Sequence, residues 1–441
     1  MKCKKQREVL NLSTCEQLIR ALQEGAYDDI FKTLYAPDGN ETALSRAKNR
    51  AVSMAESFAK RFSAAADVSL FSSPGRTEIG GNHTDHQHGH VLCGSVNLDM
   101  LCCAAPNGEN VIRICSEGYP ELTVFLDDLL PREEEQSTSA ALVRGVAAKM
   151  AQMGIALQGF DASMTSDVLS GSGLSSSAAY EVLVANIMSY YCSAGLDPIE
   201  MAKISQYAEN IYFGKPCGLM DQMGAAVGGA VAIDFADPAA PVVEKVNYDF
   251  SQCDHALCII DTGSSHDDLT DDYAEITREM GAVAARFGKQ FLREVDESAF
   301  YAAIPTLRKS CGERAVLRAM HYYDDDRRAV AEAEALKAGD FEKFLALVNA
   351  SGLSSATNLQ NIWSVGAPKH QAVSLALALG KKLLDGSGAI RVHGGGFAGT
   401  VQAFVPNEKL AAFKSGMEAV FGAGKCHVLH IRPVGGCMMI S

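Results

Sequence analysis

Nowhere in its 441 residues does the chain approach the ~18–20 consecutive apolar residues that a membrane-spanning helix requires. Its basic start, MKCKKQREVLNLS, lacks the apolar stretch of a secretory signal. A CxxC pair is also missing: 13 cysteines, an odd number, are scattered from Cys3 to Cys437. That pattern is too sparse for a small secreted disulfide scaffold, so reduced thiols in a cytoplasmic protein are expected. Adjacent Cys102 and Cys103 then read as small apolar residues, partly buried. Positive charge is short as well. Lys+Arg number 39 against 53 Asp+Glu, a formal charge of −14, which excludes a general binder of nucleic acid or anionic membrane. No fixed-period repeat and no extended low-complexity tract interrupts the chain.

What is present is the mix of a folded protein, 47% apolar and 21% charged, with length for two or three domains. Helical periodicity dominates residues 1–65, in amphipathic pieces at 14–23 and 42–61. Residues 67–73 read as a strand halted by the Pro74–Gly75 turn signal. Further strands are expected at 90–97, 111–115 and 122–126, and helices at 140–153 and 176–194. Strands at 230–235 and 256–261 precede helices at 268–287, 314–338, 341–348 and 372–384. Strands at 390–392, 401–405 and 427–432 close the chain. Strands in both halves without strict alternation favour a two-domain α+β protein over a doubly wound sheet.

Two segments carry chemistry. Residues 169–179, LSGSGLSSSAA, run straight into a helical pattern. Gly171 and Gly173 free the backbone, and Ser175, Ser176 and Ser177 supply helix caps. Free N–H groups at such a helix start form an anion site. No lysine follows the glycines, and no Lys or Arg occurs between Lys149 and Lys203. Phosphate here would rest on backbone, hydroxyls and a metal ion; the bland alternative is a capped helix. Residues 73–89 read SPGRTEIGGNHTDHQHG, and His83, His86, His88, His90 and Asp85 fall within eight residues. They admit a metal hydrolase, an ordinary polar loop, or a pocket for a polyhydroxylated ligand.

The chain resembles the galactokinases, of the GHMP small-molecule kinase superfamily, at three motifs in the family's order. Pro74, Gly75 and Arg76 through His83, Thr84 and Asp85 are similar to the signature GRVNLIGEHTDYNxG. Residues 173–179, GLSSSAA, resemble the phosphate loop, and residues 394–399, GGGFAG, the late glycine-rich motif. Between them, Glu209 and PCGLMDQ at 216–222 are similar to the AEH and GxPCGIMDQ segments, and His266 and Tyr273 keep the spacing of HxLxxxxY. The likeness covers roughly residues 65–435.

The resemblance implies the GHMP kinase fold. A helical extension (1–65) would precede a mixed α/β amino-terminal domain (66–225) and an α+β carboxy-terminal domain (226–441), with the site in the cleft between the domains. It implies transfer of the γ-phosphoryl of MgATP to the C1 hydroxyl of D-galactose. Asp221 is then the candidate base and Arg76 the cation at the transferred group, a neighbour that lowers the carboxylate's pKa. Ser177 and Glu209 would hold Mg²⁺ with hard oxygens. Gly171, Ser172, Gly173, Leu174, Ser175, Ser176 and Ser177 would cradle the phosphates of ATP, with Gly394, Gly395 and Gly396 letting backbone approach the substrates. Asn82, His83, Asp85, Gly218 and Tyr273 would bind the sugar. The partners implied are a small sugar and ATP, with no nucleic acid and no membrane; the oligomeric state, a monomer included, is left open.

The chain departs from the signature where it has Asn82 instead of the glutamate that contacts the sugar, and TEIGG (77–81) instead of VNLIG. Ile276 and Thr277 stand where an arginine pair is expected. Loss of the carboxylate at 82 makes galacturonate or N-acetylgalactosamine alternative substrates to galactose. A sugar-sensing protein on the kinase fold, without turnover, is the alternative of a different class.

Overall fold

The computed structural model describes residues 14–62, 67–168, 173–215, 217–264 and 269–441. Helices α1 (Cys15–Gln23), α2 (Asp28–Tyr35) and α3 (Glu41–Arg61) lead the chain. Thr14 caps α1 in a reciprocal box with Gln17, and Asn40 caps α3 by accepting from two backbone N–H groups. Leu18, Leu22, Phe31 and Phe58 turn inward from these helices onto Leu70, Leu101 and Cys103.

Those last three residues belong to an eight-stranded sheet. Its members are β1 (Ser69–Gly80), β2 (His90–Pro106), β3 (Val111–Ser116), β4 (Leu122–Phe125), β5 (Phe160–Ser166), β6 (Ala230–Asp234), β7 (Val242–Val246) and the chain's last strand, Cys437–Ile440. Phe71 and Cys102, one residue along from Leu70 and Leu101, face the opposite side, as the two-residue strand period demands. There they meet α4 (Ser139–Gln152) and α5 (Ser176–Tyr191), through Val143, Leu183 and Ile187. Cys102 and Cys103 are therefore fully buried, one on each face of the sheet. Helices α6 (Pro198–Tyr207) and α7 (Met220–Val227) complete this half.

A second sheet contains β8 (His255–Asp261), β9 (Ala389–His393), β10 (Thr400–Pro406) and β11 (Cys426–Leu429), antiparallel in the order β11-β8-β10-β9. Helices α8 (Thr270–Ala285), α9 (Glu297–Ser310) and α10 (Glu313–Lys337) share a helical core of their own, with α10 lying on β1 and β2, whereas α11 (Phe341–Ser354), α12 (Ala372–Leu384) and α13 (Leu410–Phe421) pack against this second sheet. The closing strand, β12, then crosses back to pair with β1 of the first sheet.

Two expectations change. The strand expected to stop at Pro74–Gly75 continues to Gly80: a register slip between Pro74 and Arg76 absorbs the proline as a bulge, and a second slip follows between Glu78 and Gly80. Arg76 thus stands on a strand held between neighbours, not in a turn. The expected domain boundary at 225/226 falls before β6, yet the β6–β7 hairpin extends the first sheet through β2. We propose the boundary after Val246, with β12 returned to the amino-terminal unit.

Candidate active site

β5 and α5 bracket the serine-rich segment, and Gly171 and Ser172 lie outside the described residues. From Gly173 onward the loop is tied to β1. The Arg76 N–H donates to the Leu174 carbonyl at 3.0 Å, and its Nη1 donates to the Gly173 carbonyl. Ser175 does not cap α5 with its side chain. It takes a left-handed conformation at φ 57°, uncommon for a residue with a side chain, which turns its hydroxyl onto Asp221 Oδ2. Ser176 and Ser177 form the first turn of α5, so the free N–H groups of a helix start face the same space.

Asp221, in the first turn of α7, receives Arg76 on its other oxygen: Nε lies 2.8 Å and Nη2 2.6 Å from Oδ1. The Arg76 side chain is 7% exposed and that of Asp221 32%, so the carboxylate remains reachable. Burial pushes its pKa up, but Arg76 and the Ser175 hydroxyl outweigh burial and hold it below the usual carboxylate value. An ionised, oriented carboxylate results, weak as a base but well placed to orient a hydroxyl.

Glu209 sits on a π-helical turn, Ala208–Phe213, that continues α6. Such turns recur at functional sites because the extra residue redirects side chains. Its Oε1 accepts from Ser177 Oγ at 3.2 Å and its Oε2 from Gln222 Nε2 at 2.7 Å. Gln222 also reaches Glu181, whose Oε1 is buried without a partner. Burial, then the Glu209 charge, pushes the Glu181 carboxyl well up. Lys215 Nζ is 3.6 Å from Glu209. A hydroxyl and a carboxylate beside an open anion cradle fit Mg²⁺, which takes one or two carboxylates plus substrate phosphates. Among the described residues no group of three or more His, Cys, Asp or Glu could hold a metal ion by itself.

On the other side of Ser176 and Ser177 opens a cavity of about 620 Å³. Met100, Leu122, Leu142 and Phe213 give it apolar walls, and Glu117 and Asp167 give polar edges. Its size and lining suit a nucleoside.

The sugar-signature residues gather around the glycine-rich turn. His83, held at φ 58°, has Nε2 2.9 Å from the Gly395 carbonyl. Burial, ahead of the nearby His86, lowers its pKa to about 4, so the neutral ring donates this bond. Tyr273 Oη donates to the Gly396 carbonyl at 2.9 Å, and its ring stacks beside that of His83. Gly395 and Gly396 leave room for Tyr273 and Asn361, whose atoms any Cβ there would strike; Gly394 alone of the three faces open space. Asp85 comes close to the Gly218 backbone, on the approach to Asp221. His266 and Pro216 lie outside the described residues. Ile276 is buried in the helical core around α8.

Asn82 is fully buried. Its amide nitrogen donates to Glu78 Oε1 at 2.9 Å and to the Gly394 carbonyl at 2.8 Å. Its oxygen accepts from Asn361 and Ser355. The amide therefore holds the frame together, with no capacity left for a sugar hydroxyl. The signature's Asn and Glu have in effect exchanged places: the carboxylate now stands at Glu78, paired with Arg391 at 2.7 Å. Gly80, where the signature has Ile, leaves room for Glu332 of α10, which any Cβ would strike. His88 stacks on Phe291, while His90 pairs with Asp326 and Asp234. The clustered histidines thus turn to separate partners.

Sequence reasoning did not single out Glu181, Lys215, Asn361 or Arg391 for this site. Arg391 meets Glu78 across 313 positions, a pairing no local pattern reveals. Gln222 was visible only as part of PCGLMDQ.

Two family models match this chain: GHMP kinases N terminal domain over residues 141–229 and Galactokinase galactose-binding signature over residues 56–106. The solved Lactococcus lactis galactokinase complexed with galactose shares the fold, with a TM-score of 0.72 at 24% identity over 86% of this chain and 97% of that one. Methanococcus jannaschii mevalonate kinase shares it more distantly, with a TM-score of 0.59 at 14% identity over 82% of this chain and 98% of that one. Fold and site together define an ATP-dependent sugar kinase of the GHMP class. Galactokinase of Glaesserella parasuis is 31% identical over 365 residues, 81% of this chain and 90% of the relative. That of Actinobacillus pleuropneumoniae serotype 3 is 30% identical over 358 residues, 80% and 89%. The chain belongs to the galactokinase family.

Proposed function

We propose that the protein transfers the γ-phosphoryl group of MgATP to the C1 hydroxyl of D-galactose, giving galactose 1-phosphate and ADP. The observation that carries this reading is the Arg76–Asp221–Ser175 constellation at the start of α5. It puts an oriented carboxylate, a cation and an anion-binding helix start around one point. The relatives' names and the galactose in the Lactococcus structure support the choice of sugar.

In this reading the nucleoside fills the cavity beside Ser176 and Ser177, and its phosphates lie along the α5 N-terminus. Ser177 and Glu209 hold Mg²⁺, which supplies charge neutralisation at the phosphates. Asp221 orients the C1 hydroxyl in line. As the new O–P bond forms and the bond to the ADP oxygen breaks, the hydroxyl proton passes to the Asp221 carboxylate late, and from there to solvent. Arg76 stabilises the charge spread over the transferred group. We also assign the protein to the cytoplasm, where ATP is available and thiols stay reduced.

The saturation of Asn82 favours a second reading on the same chemistry. With the carboxylate moved to Glu78 and paired there with Arg391, an anionic C6 group meets no unpaired like charge at this position, which admits galacturonate; N-acetylgalactosamine belongs in the same comparison. ADP release measured with galactose, galacturonate and N-acetylgalactosamine tests all of these. The highest kcat/KM with galactose is expected. Preference for another sugar moves the substrate assignment, and sugar binding without ADP release makes the protein a sensor.

A further inference from the structure

The amino-terminal helices precede most of the matched family signature, which begins at residue 56, inside α3. The groove that α3 forms with the first sheet, about 750 Å³, is lined by Ser45, Arg46, Asn49 and Arg50 together with Glu117 and Thr165. Glu117 and Thr165 also line the 620 Å³ cavity assigned above to the nucleotide, so groove and cavity share a wall. Between them stands Asp167, directly after β5 and a wall residue of the cavity.

Asp167 is held from the helical side. Its Oδ2 lies 3.2 Å from Arg46 Nη2 and 3.2 Å from Arg50 Nη1. Arg50 Nη1 also lies 2.9 Å from Asp99 Oδ1, and the Asp167 N–H donates to the Asp99 carbonyl at 2.9 Å. Asp99 is fully buried and accepts from Tyr35 Oη of α2 at 2.6 Å. A line of charge-assisted bonds thus runs from α2 and α3 to the residue at the root of the phosphate loop. Asp99 is also held by Ser72 and Arg432, and among the described residues no sugar-signature side chain joins the line.

We propose that the helical extension is part of the nucleotide site: Arg46 and Arg50 are positioning residues that hold Asp167, and through it the cavity wall and the root of the phosphate loop, in the ATP-binding geometry. The proposal rests on the reading of that cavity as the nucleotide's. Arg46 is 70% exposed and Arg50 15%, so Arg46→Ala tests the bond with little risk to folding. Arg50→Lys keeps the charge beside buried Asp99 while breaking the two-acceptor geometry.

Steady-state kinetics and titration with a non-hydrolysable MgATP analogue measure the effect. Arg46→Ala is expected to raise both the KM for ATP and the analogue Kd about threefold, the scale of a partly exposed ion pair. The double variant Arg46→Ala/Arg50→Lys should raise them about tenfold. The KM for the sugar should move less than twofold, and Arg46→Lys should restore most of the loss. Unchanged ATP KM and analogue Kd in both variants, with a wild-type protein that binds the analogue, would overturn the role of the extension alone. A wild-type protein that binds no analogue would overturn the nucleotide reading of the cavity, and this proposal with it.

Discussion

At the sugar end of the cleft, Asn82 and Arg391 are consumed by protein partners, while the Glu332 carboxylate, Asn361 Oδ1 and Gln402 Oε1 around them stay buried without one; at the phosphate end, Asp221 and Ser177 are left open. Asn82 meets four protein partners through its side chain and Arg391 three, all in buried surroundings. By contrast Asp221 keeps a third of its side chain open, and Ser177 lines a cavity. Buried polar groups need partners, and a saturated network fixes geometry while an unsaturated one waits for a ligand. The sugar-side network is therefore a frame locking β1, α10 and the glycine-rich turn together. In the proposed function, the phosphate side is the reacting surface carried on it.

The sharpest way to break this comparison is Asp221→Asn. On the open side it should lower turnover about 10²–10⁴-fold, with a far smaller change in sugar affinity. Turnover near normal would take Asp221 out of the reaction. On the saturated side, Arg391→Met leaves Glu78 buried without its cation. Denaturant unfolding should show a loss of about 3–5 kcal/mol, largely recovered when Glu78→Gln is added. A loss below about 1 kcal/mol would mean that the ion pair does not hold the frame.

Acid should loosen the same frame. His83 in the folded protein titrates near 4, against an ordinary value of 6.5, and buried His393 and His321 are lowered in the same direction, chiefly by burial. The unfolded chain then binds more protons between these values. Stability is complete above about pH 6.5 and falls as pH drops toward 4, by up to about 3 kcal/mol for His83 alone. Melting temperature against pH reads this, and His83→Asn should flatten the slope. The smallest effect expected is at the metal: Glu209→Gln should raise the Mg²⁺ concentration for half-maximal activity about tenfold. No change would move the metal to other ligands.

Legibility followed sequence distance. Helices α3, α5 and α10 stand close to where the helical pattern places them, α3 by burying one face and α5 as a run of buried residues from Ala178 to Ser189. The strand through Pro74 departs from the local pattern because a proline signals a turn locally, whereas pairing with β2 and the register slip after Pro74 carry the strand on. Short α2 and the β6–β7 hairpin's place in the first sheet also escaped the pattern. Within the site, the motifs led to Arg76, Asp221, Ser177 and Glu209, which the fold does bring together. They did not tell that Asn82 would be saturated, because Asn361, Ser355 and Gly394 reach it only in the folded chain.

The net charge of −14 and the stretch without Lys or Arg between 149 and 203 are read directly from the chain, and they set the expectation that any phosphate there rests on helix N–H groups and hydroxyls rather than on lysine. Those are statements about composition and short-range order, and the sequence by itself determined them. Which groups stay open to a ligand, and which are tied into the frame, was decided only by the tertiary structure. It brings Glu78 to Arg391 and Asp167 to Arg50, and in a low-dielectric interior a buried charge must find its partner wherever the chain provides one.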